Sequence, residues 1–183
     1  MQPSPDTETQ LASLLDSKRT DRGASLAVLS LISPVLVVFL RHPGCTFCRE
    51  AVSDLALGRK EIEDGGVRIV VVSHGDEEAA TALLARHGLA AIERLHDFDQ
   101  ALYRAFGLNR GTPGQLAGPK VLLRGIQAGW LDGHGLGPVA GDPRQLPGVF
   151  LIHHCKLVRS FRHRTAADRP DYRKLAGIEV QQE

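Results

Sequence analysis

The chain has 183 residues, 43% hydrophobic and 23% charged, with 22 Lys and Arg against 21 Asp and Glu for a formal net charge of +1. This length supports one domain with its own core, and the charge balance excludes a binder that relies on a broad basic face for nucleic acid or anionic membrane. Three cysteines are an odd number, which excludes a complete structural disulfide framework.

Residues 1–22 form an N-terminal tail and helix, with Leu11, Leu14 and Leu15 at helical spacing within Thr7–Thr20. Residues 23–40 carry no charge and approach bilayer-spanning length. Ser30 and Ser33-Pro34 interrupt that run, and its second half, Val35–Leu40, reads as a strand buried on both faces. The first 22 residues carry both charge signs, unlike a secretion signal. No membrane span and a cytoplasmic location are therefore expected. Asp21–Ser33 reads either as a short strand and turn or as a helical turn.

Pro43-Gly44 stops the Val35–Leu40 strand, and Cys45 to about Lys60 turns helical, with Val52, Leu55 and Ala56 on one face. After Asp64-Gly65-Gly66, Val67–Ser73 predicts a second buried strand. Gly75-Asp76 predicts a turn and N-cap, followed by Glu77 and Glu78 where carboxylates suit the helix dipole, with a stop at Gly88. Ile92–Leu95 reads as a short strand and Asp97–Phe106 as a helix. Residues 109–147 are rich in Gly and Pro, with one helix near Gln115–Gly125. Trp130 and His134 lie in this stretch, as a lid or as a loop anchor. Gly148–His153 and Lys156–Phe161 predict a hairpin around His154-Cys155. Asp168–Ala176 predicts a closing helix, with Pro170 in its first turn. The basic run Arg159, Arg162, His163 and Arg164 reads as a solvated face.

This order gives an α/β fold. A mixed central sheet is flanked by helices, with an N-terminal helical extension and a Gly/Pro-rich insertion before the C-terminal hairpin. Residues 23–183 form the domain proper. The first two strands pair in parallel through a right-handed crossover and the hairpin adds antiparallel strands, as in a thioredoxin-like fold.

The chemistry points to Cys45-Thr46-Phe47-Cys48. The pair follows a buried strand and opens a helix, where unpaired N–H groups and the positive dipole end favour a thiolate. Arg41, His42 and Arg49 are nearby cations that act in the same direction. A spacing of three puts both sulfurs on one helix face, within reach of a disulfide. Cys45, nearer the helix start, is expected to attack, and Cys48, one turn deeper, to resolve. Glu50 or Asp54 is a candidate for proton transfer near Cys48. The competing reading is half a zinc site, completed by Cys155, His153, His154 or His163. The redox reading needs no bound metal or cofactor.

The segment Val38-Phe39-Leu40-Arg41-His42-Pro43-Gly44-Cys45-Thr46-Phe47-Cys48-Arg49-Glu50 resembles the peroxiredoxin-like branch of the AhpC/TSA antioxidant family. Residues 141–152 are similar to the start of a late strand in those proteins, and residues 162–172 to their tail. The resemblance implies a thioredoxin-like fold and a thiol-dependent antioxidant oxidoreductase. Its partners would be a peroxide or disulfide substrate and an external reductant of thioredoxin or glutathione type, with a homodimer as an assembly to test. Pro43-Gly44-Cys45-Thr46 resembles the peroxidatic motif of bacterioferritin-comigratory-type members and favours Cys45 as the reactive thiol. Two positions depart from the family pattern. His42 stands where a Thr commonly precedes the reactive Cys, and Pro147 where an Arg precedes the Gly of the later strand. Pro147 is also a candidate for the cis-proline that faces a CxxC in thioredoxin-like proteins. The alternatives are a disulfide reductase without peroxidase activity, or a redox-sensing binding module on the same scaffold.

Overall fold

The computed structural model describes residues 5–128 and 141–178. Trp130 and His134 lie outside the described residues. A five-stranded sheet runs through the molecule. Its strands are β1 (Val35–Phe39), β2 (Arg68–Ser73), β3 (Glu93–His96), β4 (Gly148–His153) and β5 (Lys156–Arg162), in spatial order β3-β2-β1-β4-β5. β1 pairs in parallel with β2, and β2 with β3, while β4 runs antiparallel to both β1 and β5. The expected mixed sheet is present.

Every residue of β1 is buried, because helices cover both faces. On one face Leu36 and Val38 pack with Val52, Leu55 and Ile62 of α3 (Thr46–Asp64), Leu83 and Leu84 of α4 (Glu77–Arg86), and Tyr172 and Ala176 of α8 (Tyr172–Ala176). On the other, Val35, Val37 and Phe39 meet Leu15 of α1 (Pro5–Ser17), Leu26 and Leu29 of α2 (Leu26–Ile32), and Leu102 and Tyr103 of α5 (Ala101–Ala105). Each such fully buried Leu or Ile contributes about 1.5–3 kcal/mol relative to exposure.

Several boundaries differ from the sequence reading, each for a local reason. The uncharged run divides between α2 and β1. Ser25 Oγ accepts from Val28 N at 3.2 Å to start α2, and Ser33 in an extended conformation ends it. Among the described residues no helix is long and apolar enough to cross a membrane. α5 starts four residues later than Asp97, because Gln100 takes a left-handed conformation. Asp97 caps α5 from a distance, its Oδ2 accepting from Leu102 N at 2.8 Å. The helix expected at Gln115–Gly125 is two, α6 (Pro113–Ala117) and α7 (Pro119–Ile126), divided at an extended Gly118 before Pro119. α8 starts only after Asp171, whose side chain accepts from Lys174 N, so Pro170 precedes the helix.

The antiparallel β4 fixes what lies near the cysteines. Gly148 pairs with Phe39, so Pro147 sits beside the end of β1 from which Cys45 follows. The His154-Cys155 turn lies at the far end, about 17 Å away at ~3.3 Å per residue.

Candidate active site

Leu40 N donates to Val72 O and continues the sheet for one residue. The chain then turns through His42, Pro43 and Gly44, all buried. Cys45 N donates to His42 O at 3.1 Å, closing that turn. Cys45 is the N-cap of α3. Its carbonyl accepts from Cys48 N and Arg49 N, which starts the helix. Thr46 follows as the first helical residue, buried, and Arg49 is half-buried one position beyond Cys48.

Both sulfurs are deeply placed, Cys45 at 6% and Cys48 at 3% exposure. They are not bonded to each other, and the two thiols differ in acidity. The Cys45 thiol is lowered to about 6, first by a hydrogen bond from the Cys48 side chain and then by the Arg41 charge and the N–H groups of Cys48 and Phe47, against the opposing effect of burial. The Cys48 thiol is raised well above its ordinary value by donating to Cys45, by burial and by the adjacent thiolate charge. Arg41 Nη1 donates to Cys45 Sγ at 3.3 Å. Its other nitrogens are anchored on Pro143, Nε donating to the carbonyl at 2.8 Å and Nη2 to the same oxygen.

His42 does not add positive charge. Burial, with Arg41 and His74 nearby, lowers it to about 4 and keeps it neutral. Its Nδ1 is buried and has no hydrogen-bond partner among the described residues. Pro147 lines the cysteine pocket, and its peptide bond is trans, not the cis bond considered from the sequence. The Pro147 carbonyl accepts from His163 N, just beyond β5, at 3.3 Å. The carboxylates suggested for proton transfer are engaged elsewhere. Glu50, buried, meets Arg124 Nη2 at 2.5 Å and Arg169 Nη1 at 3.7 Å, and Asp54 holds Arg169 in a two-pronged pair at 2.6 Å each.

The pocket over the sulfurs is mostly apolar, formed by Leu40, Phe47, Ala51, Val149, Ala166 and Tyr172, with His163 and Asp168 as polar members. His163 departs from the solvated run in which the sequence places it. It is buried, its ring packs edge-on to Phe161 at 5.1 Å, and burial lowers it to about 4. Sequence reasoning brought His163 to the cysteines only as a zinc ligand, and did not place Asp168 or Tyr172 at the site. The signal for Asp168 and Tyr172 was the similarity of residues 162–172 to the family tail. The zinc reading fails on geometry for its hairpin ligands, because His153, His154 and Cys155 lie at the opposite end of the sheet. Cys155 packs against α2 there, its N donating to Ser30 Oγ at 3.0 Å.

The model of the AhpC/TSA antioxidant enzyme family matches residues 54–167, more than half of the chain, beginning just after the cysteine pair. No curated protein matches. Among solved structures, the bacterioferritin comigratory protein of Xanthomonas campestris is similar at 17% identity and TM-score 0.57, over 82% of this chain and 83% of that one. Peroxidoxin BcpB of Mycobacterium tuberculosis is 15% identical with TM-score 0.56, over 82% of each chain. A secreted Mycobacterium tuberculosis disulfide oxidoreductase homologous to Escherichia coli DsbE is 15% identical with TM-score 0.51, over 87% and 90%. At these identities the likeness shows the shared thioredoxin-like fold. The family match over residues 54–167 goes further: the chain belongs to the AhpC/TSA antioxidant enzyme family.

Proposed function

We propose that the protein is a thiol-dependent antioxidant oxidoreductase in which Cys45 attacks a peroxide or disulfide and Cys48 resolves the product. The opposite polarisation of the two thiols carries this reading. One sulfur is poised as thiolate near neutral pH, and its partner is held protonated and donating to it. With a peroxide, Cys45 thiolate takes the distal oxygen, the O–O bond breaks, and the alkoxide leaves with a proton. The resulting sulfenic acid is attacked by Cys48 sulfur, releasing water and forming the Cys45–Cys48 disulfide. With a disulfide, Cys45 forms a mixed disulfide and expels one thiolate. Cys48 then expels the second. An external thiol returns both electrons.

The second reading is a disulfide reductase without peroxidase activity. Two observations favour it: a buried neutral His42 stands in place of the family's Thr, and a trans Pro147 in place of its Arg. Peroxide consumption by the reduced protein separates the two. Consumption that disappears in Cys45→Ser supports the peroxidase. Consumption equal to that of Cys45→Ser, with disulfide exchange intact, selects the reductase. A protein inactive toward both substrates would refute the enzyme reading.

A further inference from the structure

The basic run 159–164 is not absorbed by the redox site, and part of it borders a second cavity. An open groove of about 560 Å³ is lined by Asn109, Arg110, Gln115, Arg162, His163 and Arg164, together with apolar residues. Sites for small ligands run from about 300 to 1,000 Å³. None of the residues lining the groove is acidic. Arg110 shares its charge with Asp142, Nε to Oδ2 at 2.6 Å, and Asp168 borders the groove at Arg164 N, which leaves three guanidinium groups against two carboxylates.

The cations are held in place. Arg162 Nε donates to Phe106 O at 2.7 Å, Nη1 donates to Ser160 Oγ at 3.2 Å, and the guanidinium lies 5.0 Å from the Phe150 ring centre. Arg164 is fixed through its backbone, N donating to Asp168 Oδ2 at 2.6 Å and O accepting from Gln115 Nε2 at 2.9 Å, while its side chain is exposed. The groove also adjoins the cysteines. His163 lines both cavities, and Leu146 of the groove is bonded to Pro147 of the cysteine pocket.

We propose that the Arg110–Arg162–Arg164 groove seats the carboxylates of a small acidic thiol, or of its disulfide, and presents the ligand's sulfur to Cys45 past His163. The proposal rests on the thiol-exchange function and names the substrate class for that site. Guanidinium groups suit it because they bind carboxylates in two-pronged, charge-assisted fashion. In the oxidising direction Cys45 thiolate attacks the ligand disulfide, one acidic thiolate leaves, and Cys48 expels the second as the protein disulfide forms. In the reducing direction one ligand thiolate opens the Cys45–Cys48 bond at Cys45. A second then attacks the mixed disulfide, releasing Cys45 thiolate and the ligand disulfide.

The test separates binding from exchange. S-methylglutathione, which cannot react, is titrated into Cys45→Ser protein. Saturable binding is expected, weakened about tenfold by Arg164→Gln, further by Arg164→Glu, and by added salt. Arg164 is exposed, so both variants are expected to fold. No saturable binding, or binding indifferent to both variants, overturns the proposal. In parallel, reduced native protein is oxidised by glutathione disulfide or by the uncharged bis(2-hydroxyethyl) disulfide. The ratio of the two rate constants is expected to exceed one and to fall about tenfold in Arg164→Gln. A ratio of one, or a ratio unmoved by Arg164→Glu, overturns the delivery of sulfur from the groove. If neither disulfide oxidises the protein while Arg164-dependent binding persists, the exchange function itself is refuted, and sulfur delivery with it.

Discussion

Removing the Cys48 sulfhydryl tests the central electrostatic claim. That S–H is the largest stabiliser of the Cys45 thiolate, ahead of Arg41 and the helix N–H groups. A hydrogen bond to a charged group is worth about 1.5–3 kcal/mol. At 1.36 kcal/mol per pH unit, Cys48→Ala moves Cys45 from about 6 to about 7–8. Cys48→Ser keeps an O–H donor and should hold the midpoint near that of the native protein. The assay is the pH dependence of alkylation, in a Cys155→Ser background so that one thiol is read. The midpoint is the proper readout rather than the rate at one pH. A less acidic thiol gives less thiolate but a more nucleophilic one, with a Brønsted slope of about 0.4–0.5, so the two effects partly cancel. A Cys48→Ala midpoint unchanged at about 6 would refute the reasoning and assign the thiolate to Arg41 and the helix terminus.

Other predictions concern stability. His42 and His163 bind protons at about 4 in the folded protein and near 6.5 when unfolded, so their contribution is full above 6.5 and is lost as pH falls toward 4. Between pH 7 and pH 5 each should cost about 2 kcal/mol, read as a falling urea midpoint that His163→Phe makes shallower. Equal midpoints at the two pH values would contradict neutral burial. Gly148→Ala should lose about 1–3 kcal/mol, because the new methyl meets Leu108 Cδ2 at 2.6 Å and Phe150 Cε2 at 2.9 Å. A native denaturation midpoint would show that those side chains give way. Arg124→Ala should lose about 2 kcal/mol by removing the 2.5 Å partner of buried Glu50. Adding Glu50→Gln should recover part of that loss in a thermal melt, and an additive further loss would argue against an uncompensated charge.

The legible parts of this protein are those in which neighbours along the chain decide the outcome. Val35–Phe39 is a continuous β-branched and apolar run closed by Pro-Gly, and it is a central strand. Asp76 before Glu77 and Glu78 predicts a cap, and its side chain accepts from Ala79 N at 2.9 Å. The position of Cys45 and Cys48 at a helix start follows from the same kind of signal. What escaped depends on residues far apart in sequence. Nothing local distinguishes Arg41, anchored by Pro143 and aimed at Cys45, from His42 beside it, buried and uncharged. Glu50 resembles an available carboxylate until Arg124, 74 positions away, is seen to hold it. His163 sits between two arginines in sequence and beneath them in space, because alternate residues of a strand and its extension face opposite ways.

The direction of β4 has a consequence for how the protein ages in an oxidising cell. Three cysteines permit three pairings, and two of them would disable the reactive sulfur or its partner. Because β4 carries the chain away from Cys45 before Cys155 is reached, those two pairings are out of reach within one native chain. Damage that scrambles the thiols must therefore unfold the sheet first or join two molecules through their Cys155 ends. A dimer joined there would leave Cys45 and Cys48 of each chain at the end of the sheet away from the link.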